Sequence, residues 1–134
     1  MKDSILIDTN ILIYAETSDD LKKHEKTAEF FANYENLSLS IQNLTEFSSN
    51  MIKKTNLSST DINNIVQNYI DVYPIVFFSE STIQEANRIS RDYKLHFFDS
   101  LLVATMSENN IKKIVTENVK DFKKVPWLEI IKPF

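Results

Sequence analysis

Residues 5–10 read ILIDTN, a short continuous apolar run that ends on an acidic residue, Asp8. Such a run, together with Ser4 before it, is typical of a buried strand in a parallel sheet. The apolar residues from Ile11 onwards then begin a helix. In sheets of this kind, ligands bind beyond the carboxyl ends of the strands. Asp8 is therefore predicted at the functional edge of an α/β domain.

Strands and helices alternate along the rest of the chain. Further short runs typical of strands occupy residues 37–40, 74–78, 113–116 and 128–131. The segments between them repeat apolar residues at helical spacing, and Ser81 with Gln84 predicts a capping box before the fourth long helix. Phe77 and Phe78 are expected in the core. The alternation predicts a single α/β domain over residues 1–134, with a largely parallel sheet of four or five strands.

Composition excludes several classes of function. The chain has 134 residues and no cysteine, which rules out disulfides, zinc–thiolate sites and thiol nucleophiles. Glycine is also absent, so neither a P-loop nor a dinucleotide fingerprint is present, and asparagine is expected at left-handed turn positions. A net charge of −4 argues against a passive nucleic-acid binder. With no membrane-length apolar run and no pattern of a signal peptide, a cytoplasmic protein is expected.

Acidic residues stand beside strongly apolar ones in four patches. Their acids are Asp8, Glu46, Asp99 and, in the last patch, Glu117 or Asp121. Ionised groups are costly in such surroundings unless something pairs with them. Carboxylates that share one site also repel each other, and a divalent cation is one remedy. A hard cation with oxygen ligands indicates chemistry on phosphates.

Taken singly, each acid also has a purely structural explanation. Asp8 is equally well explained as a helix cap, and Asp99 as a partner of the helix dipole. Glu46 would pair with a lysine, and Glu117 and Asp121 would simply be solvated. The sequence order of the four patches, taken together, favours a shared site.

That ordered set resembles the PIN-domain ribonucleases, in particular the toxin subunits of VapBC-type toxin–antitoxin pairs. The resemblance covers nearly the whole chain and is carried by residues 8–14, 39–54, 98–104 and 115–128. It implies a PIN-like three-layer α/β/α domain and a metal-dependent endoribonuclease, a hydrolase of RNA phosphodiester bonds. It also implies a toxin that has RNA as its substrate, binds a small antitoxin protein and forms a homodimer, with no membrane attachment.

The resemblance further implies a Mg²⁺ or Mn²⁺ site. Asp8 and Asp99 would hold the ion, and Glu46 and a fourth acid would bind it directly, through water or at a second ion. Asn10 and Thr116 are implied to orient these acids. A bound ion would generate hydroxide from water for attack on the phosphodiester.

The fourth acid is open between Asp121 and Glu117. Some members of the family have an acid at the position of Asn118, whereas others have asparagine there and an acid three residues later, which Asp121 fits. If Asn118 starts a short helix, Asp121 follows about one turn later and both side chains face the cation, while Glu117 points away. A smaller departure is Ser100, which stands where the family usually has alanine.

Two other functions are weighed against this one. A receiver or HAD-like phosphotransfer domain also has an aspartate after a strand, but the HAD-like pattern needs a second aspartate where this chain has Asn10. The paired acids of a receiver are not evident either. A catalytically degenerate PIN-like domain that acts as an RNA- or protein-binding module stays open, because the closing motif is imperfect.

Overall fold

A five-stranded sheet organises the protein in the computed structural model, which describes residues 3–134. Its strands are β1 (Ile5–Ile7), β2 (Leu37–Ser40), β3 (Ile75–Val76), β4 (Lys113–Val115) and β5 (Glu129–Ile131). All neighbouring strands pair in parallel, in the order β3-β2-β1-β4-β5, so β1 lies at the centre. The prediction of a largely parallel sheet is confirmed, with five strands.

Helices connect the strands throughout the described residues. They are α1 (Thr9–Glu16), α2 (Leu21–Asn33), α3 (Ile41–Lys54), α4 (Ser59–Val72), α5 (Glu80–Tyr93), α6 (Phe97–Glu108) and the short α7 (Val119–Phe122). The α3, α4 and α5 helices have 14 residues each, which is below the roughly 20 needed to cross a bilayer. Between residues 3 and 134, no helix is long and apolar enough to span a membrane.

Successive residues of β1 face opposite sides of the sheet. Ile5 and Ile7 join a core with residues of α1, α2, α3 and α4, whereas Leu6 joins a second core with residues of α5 and α6. Leu6 and Ile7 are both completely buried. Because helices cover both faces, the strand is continuously apolar rather than alternating. The molecule therefore has the predicted three layers, α/β/α.

Strand order determines which loops meet. Because β1 and β4 are paired neighbours, with Ile7 opposite Val115, the residues that follow them lie side by side at one edge of the sheet. The β2 strand flanks β1 on its other side, and α3 begins directly after Ser40 at the end of β2. The first, second and last acidic patches thus reach the same edge.

Two local predictions are wrong. The α5 helix begins at Glu80, with Ser79 as its N-cap, and the Thr82 hydroxyl accepts the Ser79 backbone N–H at 2.9 Å, so the predicted Ser81–Gln84 box does not form. Phe77 is 64% exposed rather than in the core, because β3 ends at Val76. The predicted strand over residues 74–78 is a continuous apolar run, so the sequence does not indicate the residue at which strand pairing ends.

Asparagine replaces glycine at two of the three described positions with positive φ, as predicted. Asn36 and Asn110 have φ of 61° and 54°, and the third position is Lys94 with φ of 56°. Asparagine tolerates this region because its short side chain bonds locally, whereas lysine has no such compensation. Lys94 was not anticipated.

Candidate active site

A cavity of about 280 Å³ opens beside the carboxyl end of β1, at the edge where the loops meet. Three predicted acids line it: Asp8, Glu46 and Asp99. They are far apart in the sequence and come from the end of β1, the middle of α3 and the first turn of α6. Of the residues predicted to support them, Asn10 and Asn118 line the same space, which is called the acidic cavity below.

Asp8 is the most firmly held of the three acids. Its Oδ1 accepts the backbone N–H of Thr9 at 2.8 Å, and its Oδ2 accepts the Thr116 hydroxyl at 2.7 Å and the Asn10 amide at 3.3 Å. The side chain is nearly buried, and this burial raises the pKa of Asp8 while the three hydrogen bonds oppose the rise. The structure thus places both predicted orienting residues, Asn10 and Thr116, directly on Asp8.

Glu46 is oriented by a chain of buried polar groups. The Asn43 amide donates to the Thr9 hydroxyl at 3.0 Å, and that hydroxyl donates to Oε1 of Glu46 at 3.2 Å. The Asn43 carbonyl oxygen in turn accepts the Ser40 hydroxyl at 2.7 Å. Because Asn43 is the donor to Thr9, the Thr9 proton is left for Glu46. The chain links the end of β2 to the carboxylate of α3, and Asn43 and Ser40 are completely buried.

The carboxylates raise one another's pKa values. Burial, followed by the charges of Asp8 and Asp121, raises the pKa of Asp99 to about 6. Burial raises the pKa of Glu46, and the charges of Asp8 and Asp99 add to the rise while the hydrogen bond from Thr9 opposes it. An environment that disfavours several ionised acids at once favours a bound cation, since a cation reverses each of these shifts.

Asn118 and Asp121 occupy different positions relative to the acidic cavity. Asn118 is the N-cap residue of α7, and its amide donates to Oδ2 of Asp99 at 3.3 Å. Asp121 is half-buried and does not line the cavity, although its charge contributes to the raised pKa of Asp99. The Lys124 ammonium lies 3.7 Å from Asp121 Oδ1.

Glu117 faces away from the cavity. Its carboxylate accepts the Tyr14 hydroxyl at 2.7 Å and forms an ion pair with Lys23, while its backbone N–H donates to the Asn10 side chain at 3.3 Å. These contacts tie the loop after β4 to α1 and α2. Glu117 therefore holds this loop in place from the outside.

The donor set fits a hard cation that keeps most of its water. Among residues 3–134, no group of three or more His, Asp or Glu side chains is arranged to hold a metal ion alone. Magnesium, however, needs only one or two protein carboxylates and retains several waters. Asp8, Glu46 and Asp99 supply carboxylate oxygens to one open cavity of sufficient size. A water-rich Mg²⁺ or Mn²⁺ site fits these residues, whereas an all-protein cage does not.

Sequence reasoning missed most of the polar wall that α3 provides. Gln42, Asn50 and Lys54 line the acidic cavity with Glu46, and the four positions are spaced by four residues. That spacing puts them on one helical face, and it is the signal that would have found them. The role of Thr9 between Asn43 and Glu46 had no comparable signal, because it depends on how α1 and α3 pack.

The family model of the PIN domain matches residues 5–128 of the chain. Comparison with the curated proteins gave no match.

Solved structures share the fold over most of the chain. A toxin–antitoxin complex from Klebsiella pneumoniae gives a TM-score of 0.73 at 20% identity, over 98% of each chain. VapBC2 from Rickettsia felis, bound to a promoter DNA fragment, gives 0.71 at 19% identity, over 96% of this chain and 97% of that one. VapC20 from Mycobacterium tuberculosis, a sarcin–ricin loop cleaving toxin, gives 0.68 at 14% identity, over 83% and 87%. At such identities the likeness concerns the fold.

Proposed function

Because the chain belongs to the PIN domain family, we propose that it is a metal-dependent endoribonuclease that hydrolyses RNA phosphodiester bonds. The observation that carries this proposal is the convergence of Asp8, Glu46 and Asp99 on one cavity at the carboxyl edge of the sheet. A protein with the same fold is described as a toxin that cleaves the sarcin–ricin loop, which supports RNA as the substrate.

Some side chains of the cavity would bind a cation, and others hold those ligands in position. Asp8 and Asp99 would bind Mg²⁺ or Mn²⁺, with Glu46 and Asp121 acting directly, through water or at a second ion. When bound, such an ion lowers the pKa of a coordinated water and offsets the charge that grows on the phosphate. Thr116 fixes the Asp8 carboxylate by its hydrogen bond, so the acid is in position before a cation arrives.

Glu46 and Asp99 are held in orientation by hydrogen bonds from their neighbours. The hydrogen bond from Thr9 keeps Oε1 of Glu46 in place within the cavity. Asn118 donates to one oxygen of Asp99 and thereby limits its rotation. A side chain held in this way loses little freedom when substrate binds.

We also infer that the protein is the toxin of a toxin–antitoxin pair. Chains of the same fold occur in toxin–antitoxin complexes from Klebsiella pneumoniae and Rickettsia felis, and the likeness covers at least 96% of this chain in both cases. On this basis we propose a small antitoxin protein as the partner and a homodimer as the assembly. With RNA as the substrate, the site of action would be the cytoplasm.

A second candidate is a degenerate PIN domain that binds RNA or a protein without cleavage. It is favoured by one observation, namely that no three metal-binding side chains within residues 3–134 form a ready-made metal site.

Cleavage of single-stranded RNA by the purified protein separates the two. We expect cleavage that needs Mn²⁺ or Mg²⁺, stops with a chelator and is lost in the Asp99→Asn variant. Asp61→Asn is the matched control, since Asp61 is the third residue of α4 as Asp99 is of α6, but it is exposed and outside the cavity. Absence of cleavage under all conditions, together with unchanged RNA binding in Asp99→Asn, would establish the degenerate function instead.

A further inference from the structure

One face of α3 forms a polar track that leads out of the acidic cavity. Glu46, Asn50 and Lys54 line the same cavity and follow one another at intervals of four residues. Each interval advances about 6 Å along the helix axis, so Lys54 lies about 12 Å beyond Glu46. The track thus begins among carboxylates and ends on an ammonium group at the last residue of α3.

Within residues 3–134 the charge of Lys54 takes part in no close ion pair. Two other lysines near the site are paired, Lys23 with Glu117 and Lys124 with Asp121. Lys54 has no carboxylate within 4.0 Å in the part of the chain that the structure describes. Its exposed ammonium therefore remains able to attract an anion that enters the cavity.

The helix dipole alone does not account for the position of Lys54. A cation in the last turn of a helix is favourable, but this applies equally to Lys53, its neighbour. Lys53 is also exposed, yet only Lys54 lines the acidic cavity. The two lysines share charge, helix end and exposure, and they differ in whether they face the cavity.

We propose that Lys54 binds a phosphate of the RNA that flanks the scissile one, with Asn50 donating a hydrogen bond on the way, so that the strand runs along α3. This rests on the proposed nuclease function. The acids near Glu46 repel a polyanion, and a cation at the far end of the same cavity offsets that repulsion. A lysine ammonium binds phosphate as a point charge, and an asparagine amide is a common donor to phosphate oxygens.

The direct test compares Lys54→Gln with Lys53→Gln, which remove the same charge from adjacent positions. Both are made in the Asp99→Asn background so that the probe, a short labelled single-stranded RNA, is not cleaved. With millimolar Mg²⁺ present, we expect Lys54→Gln to weaken binding roughly fivefold and to reduce the slope of log K against log salt by about 0.7, the loss of one phosphate contact. Lys53→Gln should change neither. Equal effects of the two substitutions overturn the proposal.

Neutral methylphosphonate linkages placed one at a time along the RNA locate the contact. One linkage to the side of the cleavage position should weaken binding by the Asp99→Asn parent and by its Lys53→Gln variant, but not by its Lys54→Gln variant. Asn50→Ala should weaken binding without altering the salt slope, because it removes a donor and no charge. If each methylphosphonate linkage weakens binding by the Lys54→Gln variant as much as it weakens binding by the parent, the lysine does not bind a phosphate.

A remaining possibility is that Lys54 acts on the acids rather than on RNA. In that case Lys54→Gln, in the otherwise wild-type protein, would shift the Mn²⁺ concentration at which the melting temperature rises. The salt slope of RNA binding would stay unchanged, and the proposal would be refuted.

The outcomes also distinguish a failure of this proposal from a failure of the proposed nuclease function. If the wild-type protein binds but never cleaves RNA, the nuclease function fails while the comparison of the two lysines still stands.

Discussion

Asp8 and Asp99 differ in the hydrogen bonds that their carboxylates accept. Both oxygens of Asp8 accept hydrogen bonds from groups that can only donate there, the Thr9 N–H and the Asn10 amide among them. An asparagine in place of Asp8 would turn an amide N–H towards one of these donors and leave it unsatisfied. Within residues 3–134 the Asp99 carboxylate accepts one hydrogen bond, from the Asn118 amide, and this bond and the charge of His96 only partly offset the effect of burial on its pKa. Removing charge at position 99 is therefore the cleaner probe of the site.

We predict that Asp99→Asn stabilises the metal-free protein at neutral pH. The pKa of Asp99 is raised from 3.8 to about 6, so between these values the folded state keeps a proton that the unfolded state has lost. The free energy of unfolding contributed by this group therefore falls as pH rises through that window and stays low above it. Asparagine does not titrate, so the gain in melting temperature should be largest near pH 7 and vanish near pH 4.

Melting curves of both proteins across that pH range, in the presence of a chelator, measure the effect. Asp61→Asn provides the control, since it removes an exposed acid from the same helical position and should lower the melting temperature slightly at neutral pH. A drop in melting temperature for Asp99→Asn at neutral pH would mean that this acid stabilises the fold, contrary to the proposal.

We predict a ranking in activity for alanine substitutions at three of the candidate acids, Asp8, Asp121 and Glu117. Alanine at Asp8 should abolish cleavage, Asp121→Ala should reduce it about tenfold or more, and Glu117→Ala should reduce it less. The reason is that Asp121 acts on Asp99 through its charge, whereas the Glu117 carboxylate does not line the cavity and is bound to Lys23 and Tyr14. Initial rates at saturating Mn²⁺ decide the order. A larger loss for Glu117→Ala would assign the fourth position to Glu117.

At the level of elements, the join between β2 and α3 carries the polar chain that orients Glu46. Ser40 ends the strand and caps the helix, and its hydroxyl accepts the Asn43 backbone N–H at 3.0 Å. The Asn43 side chain then reaches across to Thr9 of α1. The residues that cap α3 therefore also orient Glu46. The stability of this helix end and the geometry of the site are linked for that reason.

Asn43→Ala should therefore destabilise the protein by about 1–3 kcal/mol, because buried polar atoms of Thr9 and Ser40 lose their partner. It should also lower activity, since the Thr9 proton is no longer directed to Glu46. Urea unfolding measures the first effect and cleavage rates the second. The control is Asn63→Ala, an exposed asparagine of α4 for which a change within about 0.5 kcal/mol is expected. Equal stability of the two variants would show that the buried network contributes nothing.

At the level of the whole molecule, the acidic cavity forms only when the sheet, α3 and α6 are assembled together. A cation that binds there binds the folded state alone and raises stability by mass action. We predict a rise in melting temperature with Mn²⁺ or Mg²⁺, worth about 2.7 kcal/mol at a hundredfold excess over the dissociation constant. The rise should disappear in Asp8→Ala, which removes a proposed ligand, and persist in Asp61→Asn, which removes an exposed acid outside the cavity. No shift at millimolar metal would favour the degenerate function.

The assembly of the whole molecule is a further prediction. Several large apolar side chains are more than half exposed on the single chain: Leu21, Ile52, Val72, Phe77 and Phe98. Exposed apolar side chains that form one contiguous patch are commonly covered by a partner. We expect a homodimer in light scattering at micromolar concentrations. A strict monomer at high concentration would count against the dimer, and a bound antitoxin would then be the remaining candidate to cover them.

Much of this arrangement was readable from the chain. Residues 5–7 are too continuously apolar for a half-exposed strand, and the alternation with helical segments predicted a parallel sheet covered on both faces. An acid directly after such a strand lies at the functional edge by topology, so Asp8 could be placed without coordinates.

Only the tertiary structure decided which side chains meet. Sequence spacing places Glu46 on a helix but says nothing about Thr9, which reaches it across 37 positions of the chain. Sequence spacing also left the fourth acid open between Glu117 and Asp121. In the structure, α1 and α2 pack against the loop after β4, and Glu117 binds Tyr14 and Lys23 of these helices. A local sequence pattern indicates on which face of its helix or strand a residue lies, because that depends only on the geometry of that element. Contacts between distant elements depend on strand order and packing, which no short window of sequence contains.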